Sequence, residues 1–130
     1  MPSTDPFVAH VLEMMAPFAA AAGEVRARRM FGGWGLSVDG MNFGIIISDR
    51  LYLKADDENR EAFAQAGREP FVYEARGKAM TLQYWSAPEP CLESPAEMTP
   101  WARLAYGAAL RKANRPARRG PARKRASGKA

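Results

Sequence analysis

The tightest constraint in the chain is the dipeptide Asp39-Gly40, set between two apolar runs, Trp34 to Val38 and Met41 to Ser48. A type I′ turn needs positive φ at both central residues, and Asp-Gly supplies it, so the runs are expected to fold back as an antiparallel hairpin. A two-residue turn pairs Val38 with Met41 and Leu36 with Phe43. Side chains alternate along a strand, so this register gathers Trp34, Leu36, Val38, Met41, Phe43, Ile45 and Ile47 on one face. Gly33, Gly35, Ser37, Asn42, Gly44, Ile46 and Ser48 fall on the other. The three glycines leave that second face nearly smooth, which suits close packing of a helix.

The remaining elements follow from caps, breakers and periodicity. Asp5 and Pro6 open a helix whose stripe is Phe7, Val8, Val11, Leu12 and Met15, and Pro17 is expected to end it near Ala16. Ala19 to Gly23 reads as a connection. Glu24 to Phe31 reads as a strand, broken by Gly32-Gly33. Leu51 to Lys54 is a further strand after a turn at Asp49-Arg50. Its register is open: a two-residue turn puts Leu51 and Leu53 beside Ile46, a three-residue turn beside Ile45 and Ile47. Asp57 is placed to cap a helix running to about Ala66, with Gly67 as its stop.

Phe71 to Glu74 and Ala79 to Ser86 form a second hairpin. A two-residue turn would put Phe71, Tyr73, Met80, Leu82 and Tyr84 on one face, while Gly77 better suits a three-residue turn. Ser94-Pro95-Ala96-Glu97 is a capping box, Thr99-Pro100 offers a second start, and Trp101, Leu104, Ala105, Ala108 and Ala109 form a helical stripe. The sum is an α+β fold: an antiparallel sheet of about five strands with three helices, in the order α-β-β-β-α-β-β-α.

Charge divides the chain in two. The net charge is +5, yet all fourteen acids and ten basic residues lie in residues 1–110, a net of −4, while residues 111–130 hold nine basic residues and no acid. The expected organisation is a folded domain over 1–110 and a disordered basic tail over 111–130. The tail's cations are Arg111, Lys112, Arg115, Arg118, Arg119, Arg123, Lys124, Arg125 and Lys129. They are candidates for salt-sensitive binding to phosphate backbones. The tail contains no aromatic residue, so it offers no base preference by stacking. The competing reading is a solvated tail, or one that meets an acidic protein.

Few residues suggest catalysis. His10 and Cys91 are the one histidine and the one cysteine, too few for a closed zinc site of the usual kind. His10 reads as a partly exposed surface residue, and Cys91 as an ordinary loop thiol. Asp56-Asp57-Glu58 is explained by the preference of helix N-termini for acids. Gly32-Gly33-Trp34-Gly35 leads into a strand instead of a helix, which argues for a kink in a sheet over a phosphate loop. Trp85 is expected under the C-terminal helix. No catalytic residue, cofactor or metal ligand is assigned, and the expectation is a protein that is not an enzyme. The N-terminus lacks the pattern of a signal peptide, and Phe43 to Ile47 is too short to cross a bilayer, so a cytoplasmic location is expected and no membrane partner. Monomer and homodimer both remain open.

The run Arg29-Met30-Phe31-Gly32-Gly33-Trp34-Gly35 resembles the glycine-rich motif of the TfoX/Sxy N-terminal domain family. Leu51-Tyr52-Leu53-Lys54, Glu69-Pro70-Phe71 with Tyr73, Tyr84-Trp85 and Trp101-Ala102 follow in the family's order, so the similarity spans about residues 7–110. The resemblance implies an α+β domain with no established catalytic residues and a structural role for the motif. It also implies a regulator of natural competence that works with a cyclic-AMP-responsive transcription activator. The namesakes carry a second, C-terminal domain, where this chain has the basic tail.

Overall fold

A computed structural model of the protein describes residues 5–30, 32–75 and 77–114. The order of elements is α1 (Pro6–Met14), α2 (Ala16–Ala22), β1 (Arg26–Met30), β2 (Gly33–Val38), β3 (Met41–Ile47), β4 (Arg50–Lys54), α3 (Arg60–Gln65), β5 (Pro70–Ala75), β6 (Lys78–Ser86), a 3-10 turn (Glu89–Leu92) and α4 (Pro95–Asn114). The six strands form one antiparallel sheet in the order β1-β2-β3-β4-β6-β5. The α+β class is as expected. The sheet has six strands where the summed order gave about five; the segment before the glycines, read as a strand over Glu24 to Phe31, pairs over Arg26–Met30, from Arg26 with Ser37 to Met30 with Gly33.

Asp5 caps α1 as its sequence implies: its carboxylate accepts from the backbone N–H of Phe7 at 2.9 Å and of Val8 at 3.2 Å. Pro17 does not simply end the helical region. α1 stops at Met14, and a second helix begins at Ala16 with Pro17 in its first turn, where a missing N–H costs nothing. The expected connection over Ala19 to Gly23 is therefore helical through Ala22. Alanine has the highest helix propensity, and Phe18 buries this turn against the sheet. Helix α4 is likewise continuous through Pro100, across both starts that the sequence offers. The Thr99 hydroxyl donates to the Pro95 carbonyl at 2.9 Å within it.

The central hairpin holds one surprise. Asp39 and Gly40 have φ of 53° and 80°, and Val38 pairs with Met41, as the turn requires. Ser37 then pairs with Asn42, but Leu36 pairs with Gly44 in place of Phe43. Phe43 is the extra residue of a β-bulge, and the bulge inverts the facing of everything beyond it. Ile46 joins Leu36 on the core face, while Ile45 and Ile47 move to the opposite face. The register of β4 follows, with Ile46 opposite Leu51 and Gly44 opposite Leu53 across a two-residue turn at Ser48-Asp49. The second hairpin also uses a two-residue turn, with Ala75 opposite Lys78.

The core lies between one sheet face and the helices. It joins Leu36, Val38, Phe43, Ile46, Leu51 and Leu53 to Val8, Val11, Phe18, Phe63, Met98 and Ala102. Phe18, Phe43 and Tyr106 form a ring triad from α2, β3 and α4, with centroids 5.4, 5.8 and 6.0 Å apart. Trp85 sits on this face near Phe63, which stacks on Trp101 of α4, so the tryptophan lies under the helices as expected. The expected helix on the glycine face is absent from it: the helices pack on the other side, and Gly44 itself faces Leu36 and Leu53 there.

Candidate functional site

The helix-free face collects polar and aromatic side chains that the folding of the core leaves over. Strand β4 shows how. Its sequence Arg50-Leu51-Tyr52-Leu53-Lys54 alternates strictly, so burying Leu51 and Leu53 sends Arg50, Tyr52 and Lys54 to the other face. Ladder pairing then sets Arg28, Gly35, Ile45, Tyr52 and Ser86 in one row across the sheet. Tyr52 meets the ring of Phe71 edge-on at 4.9 Å. Lys54 is 6% exposed, and its ammonium lies 4.8 Å from the centre of the Tyr84 ring. Burial pushes the Lys54 pKa down, partly opposed by the charge of Asp56. The Asn42 amide donates to the Tyr84 hydroxyl at 2.8 Å and to the Gly44 carbonyl at 3.1 Å, which ties β3 to β6 across this face.

The described glycines of the motif make a turn and two close approaches within the sheet. Gly32 turns the chain between β1 and β2 with φ of 76°. A side chain at Gly33 would collide with the Ile46 carbonyl of β3, and one at Gly35 would meet the Met30 sulfur and the Asn42 amide oxygen. Arg29 stacks on Trp34 at 5.2 Å on the core side. Phe31 lies outside the described residues. Gly33 and Gly35 thus admit a neighbouring backbone and the Met30 side chain.

The other residues singled out in the sequence are committed to structure. His10 donates from Nε2 to the Leu92 carbonyl at 2.6 Å, joining α1 to the 3-10 turn, which fixes the proton on that nitrogen. Cys91 is fully buried, and burial pushes its thiol up to about 12. Asp57 does not cap α3; it pairs with Arg60 at 3.0 Å, and the N-cap is Asn59. Asn59 is buried and joins three elements. Its Oδ1 accepts from Asp56 N–H at 2.7 Å, and its Nδ2 donates to the carbonyls of Lys54 at 3.2 Å and Leu104 at 2.9 Å. Among the described residues, no group of three or more His, Cys, Asp or Glu is arranged to hold a metal ion, and no helix is long and apolar enough to cross a membrane.

Two of the nine tail cations belong to the fold. Helix α4 continues past residue 110 to Asn114, so Arg111 and Lys112 stand in its last turn, where cations complement the helix dipole. Arg111 grips Asp56 with a fork: Nε to Oδ2 at 2.6 Å and Nη2 to Oδ1 at 2.9 Å, with Glu58 at 3.5 Å. The Arg111 hydrogen bonds hold the Asp56 carboxyl below its ordinary value, helped by the N–H groups of Asn59 and Glu58. Arg111 is therefore neutralised locally by Asp56 and Glu58, while Asp56 also accepts from the N–H groups that lead into α3 and Asp57 pairs with Arg60. Arg115, Arg118, Arg119, Arg123, Lys124, Arg125 and Lys129 lie outside the described residues. The residues that sequence reasoning passed over are Arg28, Arg50, Tyr52 and Lys54. The strict alternation within β4 was the signal that could have found the last three.

Similarity to known proteins agrees with this architecture. Residues 17–109 match the family model described as the TfoX N-terminal domain. The chain is 28% identical over 91 residues to the DNA transformation protein TfoX1 of Aliivibrio fischeri, covering 70% of this chain and 44% of that protein. It is 24% identical over 94 residues to the protein Sxy of Escherichia coli, covering 72% of this chain and 45% of Sxy. The chain thus spans less than half the length of these relatives. The resemblance carried by the Arg29–Gly35 run extends over most of the described fold, and the chain belongs to the TfoX N-terminal domain family.

Proposed function

We propose that the chain is a non-enzymatic regulatory or adaptor protein in DNA transformation, the process named in the relative TfoX1. The family match over residues 17–109 carries this reading. The commitment of His10, Cys91 and Asp56 to structural contacts supports the non-enzymatic part. In this role the folded domain docks on a protein partner such as a transcription activator. The seven cations from Arg115 to Lys129 add sequence-indifferent contact with nucleic acid. The protein acts in the cytoplasm.

The test compares full-length protein with a truncation after Asn114, which keeps the Arg111–Asp56 clasp, by fluorescence anisotropy on duplex DNA at several salt concentrations. Full-length protein should bind with a log–log salt slope no steeper than about −6, from seven cations at roughly −0.9 each. The truncated form should lose most of that binding. Equal duplex binding by both would remove the tail from the mechanism. Capture of a transcription activator that survives nuclease treatment would support the adaptor role, and capture that disappears with nuclease would count against direct docking.

A further inference from the structure

The body of this protein is acidic, yet strands β1–β4 contain five cations and no acid. Ladder register places four of the five, Arg26, Arg28, Arg50 and Lys54, on the helix-free face, and Arg29 on the core side with Trp34. Arg26 is partly answered by Glu24 at 3.5 Å. Arg28 and Arg50 are exposed and make no ion pair among the described residues. On β4 the half-buried Tyr52 lies next to Arg50 on this face and in one row with Arg28 across Gly35 and Ile45; it is backed by Phe71, with Tyr84 one strand away. Along β4 the face reads exposed Arg50, half-buried Tyr52 and buried Lys54.

We propose that this face binds single-stranded nucleic acid, with Arg28 and Arg50 on the phosphate backbone and the Tyr52–Phe71 pair as the stacking surface for a base. The inference goes beyond the regulatory reading, and only its duplex control rests on the tail contact proposed there. Charge selects the occupant: the face is cationic on a body of opposite net charge, so a polyanion is steered to it. Aromatic rings on a sheet face that also carries arginines suit unpaired bases, whose ring faces a duplex conceals. A second copy of the same face would set Arg28 and Arg50 against like charges, which opposes self-association there. The tail, itself cationic, is repelled from it.

The test uses the full-length chain carrying R28S and R50S together. Both side chains are exposed, so its melting temperature should equal that of the parent. Binding to labelled oligothymidylate and to duplex DNA is measured at several salt concentrations. The double variant should bind oligothymidylate about tenfold more weakly, with a salt slope shallower by about 1.4, from two contacts at roughly −0.7 each. Its duplex affinity should stay within about twofold, because duplex contact resides in the tail. A second full-length variant with Arg123, Lys124 and Arg125 changed to Ser separates the readings, since it should weaken both ligands alike. Ultraviolet crosslinking of an iodouracil-substituted strand should mark the peptide containing Arg50 to Lys54. Parental affinity of the double variant for oligothymidylate overturns the proposal, as do equal losses on both ligands and crosslinks confined to residues 115–130. Loss of binding to a polyglutamate peptide with unchanged oligothymidylate binding would also overturn it and assign the face to an acidic protein.

Discussion

On its covered face the sheet presents Leu36, Val38, Phe43, Ile46, Leu51 and Leu53 to four helices; on its other face the same strands present Arg26, Arg28, Arg50, Tyr52 and Lys54. The backbone is shared, so the difference lies in which residues occupy alternate positions and in one bulge that exchanges them within β3. The covered face is specified by volume and shape. The free face is specified by charge and by glycines that admit Met30 and a neighbouring strand. Stability and recognition are therefore separable in this molecule, because a change on one side of the sheet need not disturb the other.

The sharpest way to break that comparison is to empty the covered side. Phe43→Ala removes a fully buried ring from the triad with Phe18 and Tyr106 and should cost about 3–5 kcal/mol in urea melts. The matching change on the free side, Arg28→Ala, should stay within about 0.5 kcal/mol. Similar losses for the two would mean that the faces are not independent.

A smaller effect is expected where the two faces meet the glycine motif. Gly33→Ala drives a methyl group into the Ile46 carbonyl, which belongs to a paired strand and cannot yield, so a loss of about 1–3 kcal/mol is expected. Gly35→Ala meets chiefly the end of the flexible Met30 side chain and should cost less. The reverse ranking in thermal melts would show that Met30, and not strand-to-strand approach, controls the motif.

The clasp between α4 and the loop after β4 gives a weaker signal with a distinctive pH dependence. Arg111→Met should cost about 1–2 kcal/mol at neutral pH, as loss of a charge-assisted fork at a partly buried site. The Asp56 carboxyl is held below its ordinary value of 3.8 in the folded state. Its contribution is thus present in full above that value and is lost as pH falls through the lower, folded one. The gap between parent and variant should be constant from neutral pH to about 5 and close progressively below about 4. A gap that widens on acidification would assign the clasp to something other than Asp56 ionisation. The smallest expected effect is at Cys91, where burial raises the thiol to about 12 and iodoacetamide at pH 8 should leave native protein unmodified. Stoichiometric labelling without denaturant would place Cys91 at the surface.

Much of the fold was legible because local chemistry and global packing agree. Asp5 with Pro6, Asp39-Gly40 and Gly67 stand where they start, turn and stop elements in the structure. Asn59 was not legible as a joint, since its partners Lys54 and Leu104 are remote in sequence and meet only when α4 lies across the sheet. Arg111 was grouped with the tail by composition. Its pairing with Asp56 depends on α4 reaching that loop, which no local pattern reports. The candidate face was hidden for a related reason: Arg28 and Tyr52 are brought into one row by two intervening strands.

The sequence by itself determined the α+β class, the central turn, the alternation of β4 and the glycine positions. Each depends on a single residue's φ preference or on a short period, and these are local properties. Tertiary structure alone decided which way β3 faces after Phe43. Ile45, Ile46 and Ile47 are all apolar, so either alternation satisfies the pattern, and no residue in the run marks an extra one. Packing made the choice. Burying Phe43 fully against Phe18 and Tyr106, with Leu36 opposite Gly44, requires the bulge, and the bulge carries Ile46 into the core beside Leu51.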